Sequence, residues 1–227
     1  MTARERFLAI VNFEQPDYVP YWYAPGIGIA HVETVARWRA EECYPSDYES
    51  LVEFWGAEKY YQIPLHTGFV PGFEVERIDL GDGYVLVRQH KARTRERADN
   101  ATKYAMPHFE TPMFEDRRDW EKEMRPRLDP EHPDRGHPTV PDTQPDEPVH
   151  VAAPSYWGRL RDYFGIDRIS YLMQDDPALL HEINRATTDL FLDQAAWVAR
   201  RIQIDAIGGW EDMCYRGGPL ISPQMFR

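Results

Sequence analysis

Apolar and polar positions along this chain follow two periods, and its elements can be predicted from them. Thr2 to Val11 places Phe7, Leu8, Ile10 and Val11 at helical spacing, and Thr2 with Glu5 forms a capping box at the start. Pro16 and Asp17 end that helix. Residues 30–43 repeat the helical pattern through Val32, Val35, Ala36 and Trp38. Ser46 and Glu49 make a second capping box ahead of Leu51, Val52, Phe54 and Trp55, and Gly56 closes the helix they open. The strongest pattern begins at Asp176-Pro177, with Asp at the N-cap and Pro at the first helical position. Leu179, Leu180, Ile183, Thr187, Leu190, Phe191, Val198 and Ile202 mark its buried stripe. Strand-like runs lie between the helices. Tyr18 to Tyr23 is aromatic and β-branched and reads as a first strand. Residues 73–80 and 84–89 flank the turn signal Asp82-Gly83 and read as a hairpin. Val149 to Ala153 and Asp205 to Trp210 are further strands, and a short helix ending at Gly165 follows the first of these. From residue 149 onward the order strand, helix, strand is a βαβ unit, which builds parallel sheet.

Two stretches break the periods. Arg93, Arg95 and Arg97 alternate with Thr94 and Glu96, so on a strand they share one face. A solvated hairpin edge guarded by charge is favoured over an anion site. Pro126 to Pro148 holds seven prolines among Asp, Glu and His, a spacing no helix or central strand survives. It reads as a long surface loop or linker, with His132 and His137 as exposed loop histidines rather than a metal pair. The chain thus divides into residues 1–72, with the first helices and strand, an excursion at 73–148 with the hairpin and proline loop, and the βαβ part at 149–227.

Composition narrows the classes. With 227 residues and 42% apolar content the chain can build a core. A formal charge of −12 argues against sequence-independent nucleic-acid binding and against an anionic membrane surface. Cys43 and Cys214 are far apart and suggest free thiols in a reducing cytoplasm. No apolar run reaches the roughly 18 residues that span a bilayer. The N-terminus lacks the hydrophobic core of a signal peptide. The expectation is a cytoplasmic protein with no nucleic-acid or membrane partner.

Candidate chemistry gathers after the strands. Glu211 and Asp212 follow the strand at 205–210 and enter a Gly/Pro loop, where α/β barrels present catalytic groups. One of the two faces a cavity, since adjacent strand residues point opposite ways. Their functional roles are general acid/base work or a hydrogen bond to a substrate N–H; the structural alternative is capping the next helix or pairing with Arg216. Trp157, Arg161 and Tyr163 offer a stacking wall, an anion clamp and a hydroxyl donor. Tyr23 is the residue of the first strand nearest its C-terminal end, and Tyr215 lies in the loop that carries the acids.

The segment Thr2-Ala-Arg-Glu-Arg through Glu14-Gln-Pro-Asp-Tyr-Val-Pro20 resembles the opening of the uroporphyrinogen decarboxylase superfamily. Phe109 to Trp120 with Arg127-Leu-Asp-Pro130, Leu160 to Gly165, Asp175-Asp-Pro177, Glu211-Asp-Met213 and Gly218 to Phe226 are similar to its methyltransferase-like branch. The resemblance implies a (β/α)8 barrel of which this chain supplies about the first half, ending before the rest. It implies tetrapyrrole or corrinoid-linked methyl transfer in the complete barrel, with zinc and a corrinoid as cofactors of the full-length family protein and none held by this chain. The implied partners are a small tetrapyrrole or a corrinoid protein, together with a second copy or a separate C-terminal half. Two alternatives follow. One is decarboxylation of uroporphyrinogen, although the arginine-bearing motif of the decarboxylases is here Tyr21-Trp-Tyr-Ala-Pro-Gly26. The other is a catalytically inactive half-barrel that serves as a binding or assembly module. The His-x-Cys pair of the zinc methyltransferases is absent from these residues.

Overall fold

In the computed structural model the described residues are 1–22, 40–41, 53–98 and 107–226. The expected helix at 30–43 has only residues 40–41 among them, and the capping box at Ser46 and Glu49, Tyr23 and Cys43 lie outside them. The architecture is mixed α/β, with one parallel and two antiparallel sheets. Helix α1 (Ala3–Val11) opens with the expected capping box: Glu5 N–H donates to Thr2 Oγ1 at 3.1 Å and Thr2 N–H to Glu5 Oε2 at 2.8 Å.

The parallel sheet joins β1 (Tyr61–Ile63), β6 (Val149–Ala152) and β7 (Ala206–Gly208), hydrogen-bonded in that order, which is also their order in the chain. Registers pair Gln62 with His150 and His150 with Ala206. Among the described residues, the run expected to be the first strand contributes a parallel bridge, Trp22 to Glu58, just ahead of β1. Strand β1 carried no sequence signal of its own: it is three residues long and follows no turn signature.

One face of this sheet is covered. Ile63, Val149 and Val151 pack on Phe191, Ala195 and Val198 of α3 (Pro177–Ala199), and each such buried aliphatic contributes roughly 1.5–3 kcal/mol. Helix α3 starts as expected, with Asp176 accepting from Leu179 N–H at 3.1 Å and Pro177 following. Helix α2 (Trp157–Asp175) leaves helical geometry at Gly165 (φ 72°, ψ 159°) and then resumes, so the predicted stop is a kink. Gly165 adopts a left-handed φ that a side chain resists. Both helices join a larger core through Leu160, Phe164, Leu179 and Ile183.

The hairpin is larger than predicted. Strands β2 (Val75–Asp79), β3 (Tyr84–Gln89), β4 (Ala92–Arg97) and β5 (His108–Thr111) form a four-stranded antiparallel sheet in that order. The arginine strand β4 is therefore interior, not an edge. Its charges are paired across the sheet: Arg93 Nε lies 3.2 Å from Glu110, and Arg95 reaches Asp82. The expected edge is overturned because β5, four polar-rich residues without alternation, gave no strand signal.

Residues 117–128 form a helical turn, a π turn and a 3-10 turn that bury Trp120, Met124 and Leu128. The proline loop beyond them is tied down by Arg135, only 7% exposed. Its guanidinium donates to the carbonyls of Asp129, His66, Gly68 and Arg127 at 2.8, 2.7, 2.9 and 2.6 Å. Burial lowers its pKa below the usual arginine value. Replacing Arg135 with Met strands these acceptors, each worth about 1–3 kcal/mol when left unsatisfied. Urea unfolding should show the Met variant less stable by about 2–4 kcal/mol, because water reaches some of the stranded carbonyls.

No helix among the described residues is long and apolar enough to cross a membrane.

Candidate functional site

A cleft of about 510 Å³ opens at the C-terminal ends of β1, β6 and β7. Gln62, Ala152 and Gly208 come from the strands, Thr67 from the loop after β1, and Arg159, Asp162 and Tyr163 from α2. Residues 159, 162 and 163 share one helix face at spacing i, i+3, i+4, which is why α2 delivers them together.

Burial raises the Tyr163 phenol above its usual range, so it stays a hydrogen-bond donor at neutral pH. Arg159 donates to Thr67 O at 3.1 Å and leaves the rest of its guanidinium fork at the cleft. Desolvation raises the Asp162 carboxyl, against the pull of Arg161, whose Nη2 donates to Asp162 Oδ1 at 3.2 Å. Trp210, 48% exposed, closes one side with a flat indole. The cleft can therefore hold a ligand with a flat conjugated part against Trp210 and an anionic or carbonyl edge on Arg159 and Tyr163.

The residues singled out in the sequence separate in space. Tyr163 lines this cleft. Trp157 and Glu211 line a second, mostly apolar cleft of about 660 Å³ between the start of α3 and α4 (Pro223–Phe226). Trp157 is 5% exposed, and its indole N–H finds no partner among the described residues. Arg161 bridges Asp162 and the Asp212 carbonyl, with its Nη1 3.8 Å from the Asp212 carboxylate. Tyr215 is exposed in the small hairpin of β8 (Cys214–Tyr215) and β9 (Gly218–Pro219). Tyr23 lies outside the described residues.

Glu211 is heavily engaged. Its carboxylate accepts from Ser155 Oγ at 3.0 Å, from the backbone N–H groups of Trp157 and Gly158 at 2.9 and 3.2 Å, and from that of Tyr156. It caps the N-terminus of α2, where free N–H groups and the helix dipole favour a negative charge. The helix it caps precedes it in the chain, so sequence proximity could not have indicated the pair.

Sequence reasoning also missed Arg159, Asp162, Trp210 and His150. For the first two, the shared helix face with Tyr163 was the available signal. His150 lies on the inner face of β6, in a row with Trp22 and Tyr60. Trp22 stacks on Tyr60 at 4.9 Å between ring centroids, and Tyr60 lies 5.7 Å from His150. Burial lowers the His150 pKa below 6.5, which leaves the imidazole neutral at pH 7.

Among the described residues no three of His, Cys, Asp and Glu converge to hold a metal ion. His132 accepts from the Asp134 N–H at 3.2 Å, and His137 stacks on Trp197 at 3.7 Å. No protein-family model, curated protein or solved structure matches the chain.

Two predictions follow from this geometry. Glu211→Ala removes the acceptor of four donors at the start of α2, and should lower stability by about 2–3 kcal/mol in chemical denaturation, with Glu211→Gln losing less. His150 binds its proton more weakly folded than unfolded, so its contribution is fully present above about pH 6.5 and is lost as pH falls through the lower folded value. The pH dependence of Tm on the acid side of 6.5 should flatten in His150→Gln relative to the parent.

Proposed function

We propose that this chain forms the first part of a (β/α)8-type barrel of the uroporphyrinogen decarboxylase-like kind. Its mouth binds a tetrapyrrole or corrinoid-linked group and serves methyl transfer when the barrel is complete. The observation that carries this reading is the position of the 510 Å³ cleft at the C-terminal ends of parallel strands that follow one another in chain order. That is where barrel enzymes hold substrate. The Trp22–Glu58 bridge supports it by adding a parallel pairing ahead of β1.

The residues at the cleft suit a large conjugated ring with polar substituents. Trp210 offers a stacking face, Arg159 a cation and Tyr163 a neutral donor. A corrinoid, when bound, supplies the methyl group; the chain's own residues bind and orient it and exclude water from one side. The described residues do not fit zinc, since no set of three ligands converges among them.

A second reading, an assembly module without chemistry of its own, is favoured by β7. Among the described residues it is the end strand of the parallel sheet, and Ile207 on it is 60% exposed. Unpaired strand edges invite association with another chain.

The test is thermal melting and size-exclusion chromatography of the purified chain with and without hydroxocobalamin, and separately with uroporphyrin. Ligand at 100 times its Kd stabilises by about 2.7 kcal/mol, a rise in Tm of roughly 5–10 °C for a chain of this size. Such a shift with hydroxocobalamin, lost in Arg159→Ala, is expected. A shift with uroporphyrin alone would move the reading to the decarboxylases. No shift with either, together with self-association, would replace it with the assembly module.

A further inference from the structure

We propose that Phe114 is a positioning residue for the mouth cleft. Its ring and the main chain beside it fix the Tyr163 side chain where the phenol meets the bound molecule. The antiparallel sheet of the excursion is thereby part of the binding machinery. The inference rests on the proposed function for the ligand that Tyr163 meets.

The first observation is at the kink in α2. In an uninterrupted helix the Tyr163 carbonyl would accept from the N–H four residues on. Gly165 leaves helical geometry inside that span, and the Tyr163 carbonyl accepts from the N–H groups of Met113 and Phe114, at 2.9 and 3.0 Å. Beyond the kink, Arg168 Nε donates to the Glu115 carbonyl at 2.6 Å. The segment after β5 is thus strapped across α2 at the residue that lines the cleft.

The second observation is the packing of the Tyr163 ring. Phe69, in the loop after β1, lies 5.1 Å from it between centroids, and Phe114, fully buried, meets it edge-on at 5.7 Å. Two torsions place a tyrosine ring, and contacts on the ring restrict both. The ring is held, while the hydroxyl has no hydrogen-bond partner among the described residues.

The third observation is that the antiparallel sheet reaches this ring through Phe114. His90, at the turn between β3 and β4, lies 5.4 Å from Phe114. It adopts φ 54°, a left-handed conformation uncommon outside glycine. The turn holds that conformation with its imidazole packed on the aromatic hub. Thr111 Oγ1 donates to the Lys91 carbonyl at 2.8 Å, and Lys91 pairs with Asp119 at 2.7 Å, so the same turn is tied to both ends of the strap.

The test compares the parent chain with Phe114→Leu, Tyr163→Phe and the double variant, and with Val198→Ala as a core substitution remote from Phe114. The first readout is the Kd for hydroxocobalamin. Tyr163→Phe and Phe114→Leu should each weaken binding about 2–10-fold, the loss of one hydrogen bond, and the double variant should lose no more than either. The second readout is nitration by tetranitromethane at pH 8, mapped by peptide mass against exposed Tyr171. Tyr163 should react several-fold faster, relative to Tyr171, in Phe114→Leu but not in Val198→Ala. Phe69→Leu, which loosens the same ring from its other neighbour, replaces Phe114→Leu if that variant fails to fold. Tyr163 reactivity unchanged by loss of the ring contact would overturn the proposal, as would cobalamin binding indifferent to Tyr163→Phe. The two readings fail separately. If hydroxocobalamin binds and Tyr163→Phe weakens it, while Phe114→Leu alters neither affinity nor nitration, the proposed function stands and the role of Phe114 fails. If hydroxocobalamin does not bind while Phe114→Leu alone releases Tyr163, Phe114 keeps its role and the corrinoid reading fails.

Discussion

Placement of the mouth depends on a carboxylate at the far end of the same sheet. The Asp205 side chain is fully buried at the start of β7. It accepts from Val149 N–H at 2.9 Å and from Arg4 at 2.8 and 3.0 Å. One group thus aligns β6 with β7 and pins α1 beneath both. Arg6, two residues along α1, pairs with Asp17 and Glu58 and brings in the segment that leads to β1. A buried pair of this kind adds little net stability against an apolar substitute, but it is costly to half-remove, by about 3–5 kcal/mol, so it specifies geometry more than strength. The Arg4-Glu5-Arg6 run at the start of the chain is thereby accounted for by position: each member fixes a different element.

Glu211 performs the complementary task at the other end of β7. It ties the loop after that strand to the first turn of α2, the helix that carries Arg159, Asp162 and Tyr163. The cleft is therefore built between two carboxylate anchors, and Arg159, Asp162 and Tyr163 reach it from a helix rather than from a loop. The two faces of the sheet differ in kind. The outer face is aliphatic and covered by α3 over β1 and β6, while Ile207 of β7 on the same face stays exposed. The inner face is aromatic and polar, with Trp22, Tyr60, Gln62 and His150.

What could be read from the sequence was what depends on near neighbours. Thr2 with Glu5, Asp176 with Pro177, and Asp82-Gly83 are signals spanning a few residues, and the structure forms the elements they mark. The apolar stripe from Leu179 to Ile202 is buried as its period implies. What could not be read depends on distant partners. Strand β1 is defined only by pairing with β6, about ninety residues later in the register Tyr61 to Val149. The arginine face of β4 needed β5 to become an interior strand. At the site, Tyr163 lines the cleft, whereas Glu211 holds a helix end that lies more than fifty residues earlier.

The cage around Arg135 has a consequence for how the proline loop can change. A cation ringed by four main-chain carbonyls behaves like an ion in a multidentate chelator, except that the ion is covalently part of the chelating chain. Main-chain oxygens are the same whatever side chain they accompany. The positions that supply them, 66, 68, 127 and 129, are released from any demand on residue type by this contact, and the whole constraint falls on position 135. A long excursion can in this way drift widely in sequence while its path through space is held by a single guanidinium.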